Sequence, residues 1–271
     1  MMTVAEIGIN HNGSMGTAKA LIDLAVKHRF DFVKFQKRDI ESCYTKDYLD
    51  STRESPWGTT QRDQKQGLEF SLEQYQEIDS YCKQKGISWY YSPWDVKSAK
   101  EMSDFRTLYI KIAHASINNT ELRNFYNSKR VPLIVSANWY DQLDKEALAR
   151  WGNKAFVLAC SSIYPSLDKQ TGVETIQSWG RFLEGQKLRV GFSNHSPNWL
   201  YPVIASFCGA EMIEVHITLD KEMYGSDQKA SLDDNDLSMF NTYKYSPMTP
   251  LETAQFLGEE GRVLAKLRQT W

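Results

Sequence analysis

Eight short apolar runs recur along this chain, each followed by an amphipathic stretch, and that alternation constrains the fold more than any other feature. The runs cover residues 4–10, 32–36, 88–92, 108–112, 132–136, 156–160, 188–193 and 212–218 and read as strands. Between them, residues 17–27, 72–85, 96–103, 119–127, 144–150, 173–183 and 199–207 read as helices. An eighth helix is expected over 250–266, opening at Thr249-Pro250 with Glu252 in its first turn. The spacing suits right-handed βαβ crossovers and a parallel sheet. Eight such units favour closure into a (β/α)8 TIM barrel, an α/β fold, over an open doubly wound sheet, although periodicity alone fits both. The length of 271 residues suits one barrel domain over 1–271.

Two connections are longer than an ordinary βα loop. Residues 38–67 are polar and predict a lid or binding loop, and 220–245 form a second polar connection after strand eight. With 41% hydrophobic and 24% charged residues, the chain can bury a large core. Its net charge of -2, without a long Lys or Arg run, argues against a nucleic-acid or membrane-surface partner. The N-terminus has no signal-peptide pattern, and no apolar run approaches the roughly 18 residues of a membrane span. Cys43, Cys82, Cys160 and Cys208 are widely spaced and form no CxxC pair. A reduced, cytoplasmic protein is expected.

The apolar runs stop repeatedly at residues that bind or react: Asn10-His11-Asn12, Lys34-Phe35-Gln36, Ser92-Pro93-Trp94, Lys111 to His114, Ser136, Ser161 to Tyr164, Ser193-Asn194-His195, and Glu214 with His216. In a barrel these converge on one mouth, where barrel active sites lie. The period of two puts Lys34 and Gln36 on one face, and Lys111 interrupts an apolar run. A lysine inside a strand is costly to bury without an anionic partner. The pair therefore reads either as cations for a phosphate or carboxylate, or as structural ion pairs with Glu6 or Glu214. His195 and His216 end neighbouring strands and suit a shared divalent metal, with Asp227 in or near the ligand set. His11 reads equally as a substrate contact or a loop anchor. His28 reads as a solvated histidine at a helix C-terminus. The aromatic run 88–92 reads as core, and Gly13 and Gly191 as tight backbone passages.

Several motifs in order carry a resemblance. They are Ala5-Glu6-Ile7-Gly8-Ile9-Asn10-His11-Asn12-Gly13, Val33-Lys34-Phe35-Gln36-Lys37-Arg38, Trp57-Gly58-Thr59-Thr60, Leu68-Glu69-Phe70-Ser71, Ser161-Ser162-Ile163-Tyr164-Pro165, Val190-Gly191-Phe192-Ser193-Asn194-His195, and 214–220 with 227–232. Over about residues 4–237 the chain resembles the sialic acid (N-acetylneuraminate) synthase family. The resemblance implies a metal-dependent condensation of phosphoenolpyruvate with an aldose, N-acetylmannosamine or a related sugar, to a 2-keto-3-deoxy acid with release of phosphate. It places the metal, Mn²⁺ with Mg²⁺ or Co²⁺ as alternatives, on His195 and His216. It gives Lys34, Ser92, Lys111, Ser136, Ser162 and Ser193 to phosphoenolpyruvate, and Gln36, Tyr164 and Asp227 to the sugar. Asn10 and His114 join the expected substrate contacts.

The sequence departs from the family pattern at three places. A Gly-Ser-Gly-Glu or Ala-Ser-Gly-Asp cluster reads Ala113-His114-Ala115-Ser116, so His114 stands for a phosphate-binding serine and Ser116 for a carboxylate facing the sugar. Ser-Thr-Gly-Met reads Ser136-Ala137-Asn138-Trp139, and Ser-Asp-His reads Ser193-Asn194-His195. The family's C-terminal antifreeze-like domain is expected to be missing, and a homodimer is compatible with that. Competing expectations are a synthase for a different aldose, a non-catalytic sugar- or metabolite-binding relative, and a metal-dependent isomerase or aldolase on the same fold.

Overall fold

A computed structural model describes residues 1–186 and 188–244. Eight parallel strands close into a barrel: β1 (Met2–Gly8), β2 (Phe32–Lys37), β3 (Ser88–Pro93), β4 (Ile110–Ile112), β5 (Leu133–Ala137), β6 (Lys154–Cys160), β7 (Arg189–Asn194) and β8 (Met212–His216). Each pairs with its sequence neighbour, and β1 pairs with β8 to close the ring. Closure decides between barrel and open sheet.

The helices between them are α1 (Met15–Lys27), α2 (Leu72–Lys85), α3 (Val96–Glu101), α4 (Thr120–Asn127), α5 (Gln142–Arg150), α6 (Ile176–Phe182) and α7 (Leu200–Phe207). Local sequence sets their ends. Ser71 and Gln74 form a reciprocal capping box at the start of α2, and Gly86 ends it at φ 71°. The outward strand residues, such as Val33, Ile112, Val135 and Val157, join the helices in one large core.

Inside the barrel the alternate residues form layers. Val4, Phe32, Tyr90, Tyr109, Ile134, Phe156, Leu158 and Met212 make an apolar floor. Two residues further along, Glu6, Lys34, Ser92, Ser136, Cys160 and Glu214 are buried, so the interior turns polar toward the C-terminal end of the strands. Two glycines make close backbone approaches, as the sequence predicts. A Cβ on Gly191 would sit 2.5 Å from the Met212 carbonyl oxygen, and one on Gly13 (φ 66°) would collide with the Gly67 carbonyl.

Three expectations need correction. Residues 38–67 fold into short helices Ile40–Cys43 and Lys46–Leu49, a hairpin of Thr52–Ser55 with Gly58–Thr60, and helix Gln61–Leu68. The segment after β8 is not all loop: α8 spans Asp234–Lys244 and buries Leu237, Phe240 and Tyr243. His28 is consequently buried and not solvated, bonded to Asp234 at 2.6 Å and Asn241 at 2.9 Å. The helix expected over 250–266 lies outside the described residues. Among the described residues no helix is long and apolar enough to cross a membrane.

Candidate active site

The polar layer is a charge network. Glu6 is in register with Lys34 on β2 and with His216 on β8. Lys34 Nζ lies 3.2 Å from both Glu6 Oε2 and Glu214 Oε1. Lys111 Nζ donates to Glu214 at 2.6 and 2.8 Å, and Ser193 Oγ donates to Glu214 at 2.9 Å. Gln36 Nε2 donates to Glu6 Oε1 at 2.6 Å. Burial opposes ionisation of Glu214, but Lys111, then Lys34, and their hydrogen bonds outweigh it and hold its carboxyl well below the usual range. The two lysines therefore have the carboxylate partners that the structural reading required. Both also face a cavity of about 230 Å³, so the network forms the floor of a site.

Above that floor stand the two histidines. Their ring centroids are 5.3 Å apart. His195 Nδ1 bonds the Ser161 carbonyl, which fixes its proton there and turns the Nε2 lone pair toward the cavity, 2.7 Å from the Tyr164 hydroxyl. Burial, then neighbouring His216, lower its basicity well below the ordinary histidine range, so the imidazole is neutral, the form that binds metals. His216 Nδ1 is buried without a hydrogen-bond partner, and Asp227 Oδ2 is 3.6 Å away. This donor set suits one divalent ion with further positions left to water or substrate. Among the described residues no third His, Cys, Asp or Glu completes a metal-holding group.

Lys34, Gln36, Lys111, His114, Ser136, Ser162, Tyr164, Ser193, His195 and His216 thus meet in one cavity. Three sequence candidates, Ser92, Asn10 and Asp227, do not line it. The Ser92 hydroxyl donates to the Lys111 carbonyl at 3.1 Å, so it braces β4. β1 stops at Gly8, which leaves Asn10 in the following turn, where its amide donates to the Ile217 carbonyl and to Ser231 Oγ. Ser231 Oγ in turn donates to the Asp227 carbonyl. Asn10 therefore anchors the segment that carries Asp227, whose carboxylate lies 3.6 Å from His216 Nδ1 and outside the cavity lining. His11 is a loop anchor: its Nδ1 accepts from Gly13 N at 3.0 Å and its ring stacks on Phe70.

Two residues that the sequence did not single out, Cys160 and Asp144, complete the site; Cys160 lines the cavity, as does the strand-end Trp94. Trp94 and Ala115 also line an adjoining groove of about 660 Å³ that contains Ser116, Lys97 and Lys100. Asp144, buried at the start of α5, bonds His114. An acidic residue in a first helical turn reads as a complement to the helix dipole, so no sequence signal set Asp144 apart.

Comparison with known proteins bears on the family and the fold. The chain is 31% identical to the N-acetylneuraminate-9-phosphate synthase of Drosophila melanogaster, over 98% of this chain and 74% of that protein. It is 29% identical to the N,N'-diacetyllegionaminic acid synthase of Campylobacter jejuni, over 89% of this chain and 74% of that one. The crystal structure of the N-acetylneuraminic acid synthetase of Leptospira borgpetersenii, solved with citrate, superposes with a TM-score of 0.78 at 22% identity, covering 98% of this chain and 92% of that one, and shares the fold. The NeuB family model matches residues 21–245, and the chain belongs to the NeuB family, the sialic acid synthase family that its motifs resemble.

Proposed function

We propose that this protein is a phosphoenolpyruvate-dependent synthase that joins phosphoenolpyruvate to the aldehyde of an open-chain N-acylated aldose and releases phosphate. The observation that carries this reading is the neutral Glu6–Lys34–Glu214–Lys111 floor beneath a paired-histidine site, in a NeuB-family chain. Four charges that cancel hold the lysine ammonium groups in place, but they do not offset a bound trianion. His195 and His216 would hold a divalent cation, which would supply that charge and polarise the aldehyde oxygen; Mn²⁺ is the first expectation, with Mg²⁺ and Co²⁺ as alternatives.

In this reading the chain's own residues bind and orient. Lys34, Lys111 and Ser193 hold the anion from below, and Ser136 and Ser162 supply hydroxyls at the side. C3 of phosphoenolpyruvate then faces the aldehyde carbon. Gln36, fixed by Glu6, and Tyr164 over His195 hold the first carbons of the sugar. Asp227, beside His216 Nδ1, moves or orients a proton as the aldehyde oxygen becomes a hydroxyl. The remaining sugar carbons run past Trp94 into the groove with Ser116. N-acetylmannosamine is the first acceptor to try. A phosphorylated acceptor is the second, because Lys97 and Lys100 lie along the groove.

The test is phosphate release from phosphoenolpyruvate with Mn²⁺ across a panel of plain and phosphorylated aldoses. Release that requires one aldose supports the reading and names the acceptor. Folded, metal-loaded protein that releases phosphate with none of them overturns it, leaving a binding role or another reaction on the same fold.

A further inference from the structure

His114 and Asp144, which take no part in the steps above, extend a chain of hydrogen bonds from Ser162. His114 stands in the turn His114–Ser116 just beyond β4. Its Nδ1 lies 2.6 Å from Ser162 Oγ, and its Nε2 lies 2.6 Å from Asp144 Oδ2. Asp144 is 2% exposed, and the same oxygen accepts from Asn138 N at 2.7 Å. Among the described residues His114 is the one basic side chain in ion-pair reach of Asp144.

This geometry assigns the proton on the ring. A carboxylate only accepts, so Asp144 keeps the proton on Nε2 and leaves the Nδ1 lone pair to Ser162 and the cavity. His114 and Ser162 both line that cavity, together with Lys111 of β4, Cys160 of β6, His195 just after β7 and Glu214 of β8. The floor lysines already donate to Glu6 and Glu214, and the Ser193 hydroxyl donates to Glu214. His114 is different: its Nδ1 faces the reacting space with a lone pair, and its far nitrogen is held by a buried carboxylate.

We propose that Asp144 and His114 form a proton relay for the second half of the condensation, with His114 as a catalytic residue and Asp144 as its positioning residue. The proposal rests on the synthase reading. After C3 has bonded to the aldehyde carbon, water oxygen bonds to C2 and one water proton passes to His114 Nδ1, directly or through Ser162 Oγ. The C2–O bond to phosphate then breaks, its electron pair goes to the phosphate oxygen, and Nδ1 returns the proton to that oxygen. The remaining C2 hydroxyl proton leaves as the carbonyl forms, balancing the proton gained by the aldehyde oxygen. No oxidant or further reactant is needed. Asp144 stabilises the imidazolium between the two transfers, as a buried carboxylate behind a general base does.

The test uses the full chain, with phosphate release as the assay. His114→Ala is expected to lower kcat about 100-fold with KM for phosphoenolpyruvate changed less than about threefold, and free imidazole is expected to restore part of kcat. The isosteric Asp144→Asn is expected to lower kcat about 10-fold or more, without imidazole rescue, because it permits the wrong tautomer. Wild-type kcat is expected to be about twofold slower in deuterium oxide. If His114→Ala does not fold, Asp144→Asn and the wild-type isotope effect decide the matter. Variants whose kcat stays within about threefold of wild type, or whose loss lies in KM alone, overturn the relay. So does a wild-type rate unchanged in deuterium oxide. Wild-type protein that releases no phosphate with any aldose overturns the synthase reading instead, so the two failures are distinguishable.

Discussion

Lys111 and Glu214 reach each other across the barrel, from β4 to the opposite strand β8, with the ammonium nitrogen 2.6 and 2.8 Å from the two carboxylate oxygens. Each is 2% exposed or less. Lys34 and Ser193 converge on the same carboxylate, so Glu214 is the hub that lets two lysines occupy the interior.

Replacing Glu214 by Gln keeps the shape and removes that charge. Lys34 then keeps Glu6, and Lys111 is left without a carboxylate partner. Breaking a buried pair from one side costs about 3–5 kcal/mol, because the partner charge is left uncompensated. Urea unfolding of Glu214→Gln is expected to show a loss of that size. A loss below about 1 kcal/mol would mean that water or a shifted lysine takes over the role of the carboxylate.

His11 gives the chain an acid-side weakness. Burial first, then the charge of Arg38, lowers its pKa to about 3. An unfolded histidine protonates near 6.5, so between about pH 6.5 and 3 the unfolded chain binds the extra proton and the folded chain does not. This contribution is fully present above about pH 6.5 and is lost as pH falls, at about 1.4 kcal/mol per pH unit. His11→Asn is expected to flatten that part of the stability curve. Chemical denaturation at pH 7 and pH 5 of both proteins checks it, and parallel slopes would rule it out.

Much of the site was legible because strand geometry is simple. Lys34 and Gln36 share an inward face by the period of two, Lys111 stands out by interrupting an apolar run, and His195 and His216 fall at neighbouring strand ends. What stayed hidden depended on where elements stop and what covers them. Asn10 left the cavity because β1 ends two residues before it. His28 was read as solvated because α8, which covers it, carries a buried apolar stripe of just Leu237, Phe240 and Tyr243 in a mostly polar segment. Ser92 and Lys111 sit on adjacent strands, and only their three-dimensional packing shows the serine hydroxyl spent on the lysine carbonyl.

Gly191 is expected to tolerate no side chain. An alanine methyl there would sit 2.5 Å from the Met212 carbonyl oxygen and closer still to Leu158. Backbone on one side and the apolar floor on the other leave little room to yield. Overpacking of this kind costs about 1–3 kcal/mol. Thermal unfolding of Gly191→Ala checks it, and an unchanged midpoint would show that β7 and β8 separate at small cost.

Metal binding at the two histidines can be measured without turnover. A ligand that binds only the folded state stabilises it by about 2.7 kcal/mol at one hundred times its Kd. Mn²⁺ is therefore expected to raise the thermal midpoint of chelator-treated protein. His216→Ala removes the imidazole whose Nδ1 is buried without a hydrogen-bond partner, and His195→Ala removes the neutral imidazole beside it. Either variant should lose the Mn²⁺-dependent rise, measured against its own chelator-treated midpoint because His195 also bonds the Ser161 carbonyl and the Tyr164 hydroxyl. Asp227→Asn should keep part of the rise, because both imidazoles remain and its carboxylate stands 3.6 Å from His216 Nδ1. A rise of equal size in wild type and both histidine variants would place the cation elsewhere. The paired histidines would then serve the sugar, with Tyr164 stacked on one and edge-on to the other.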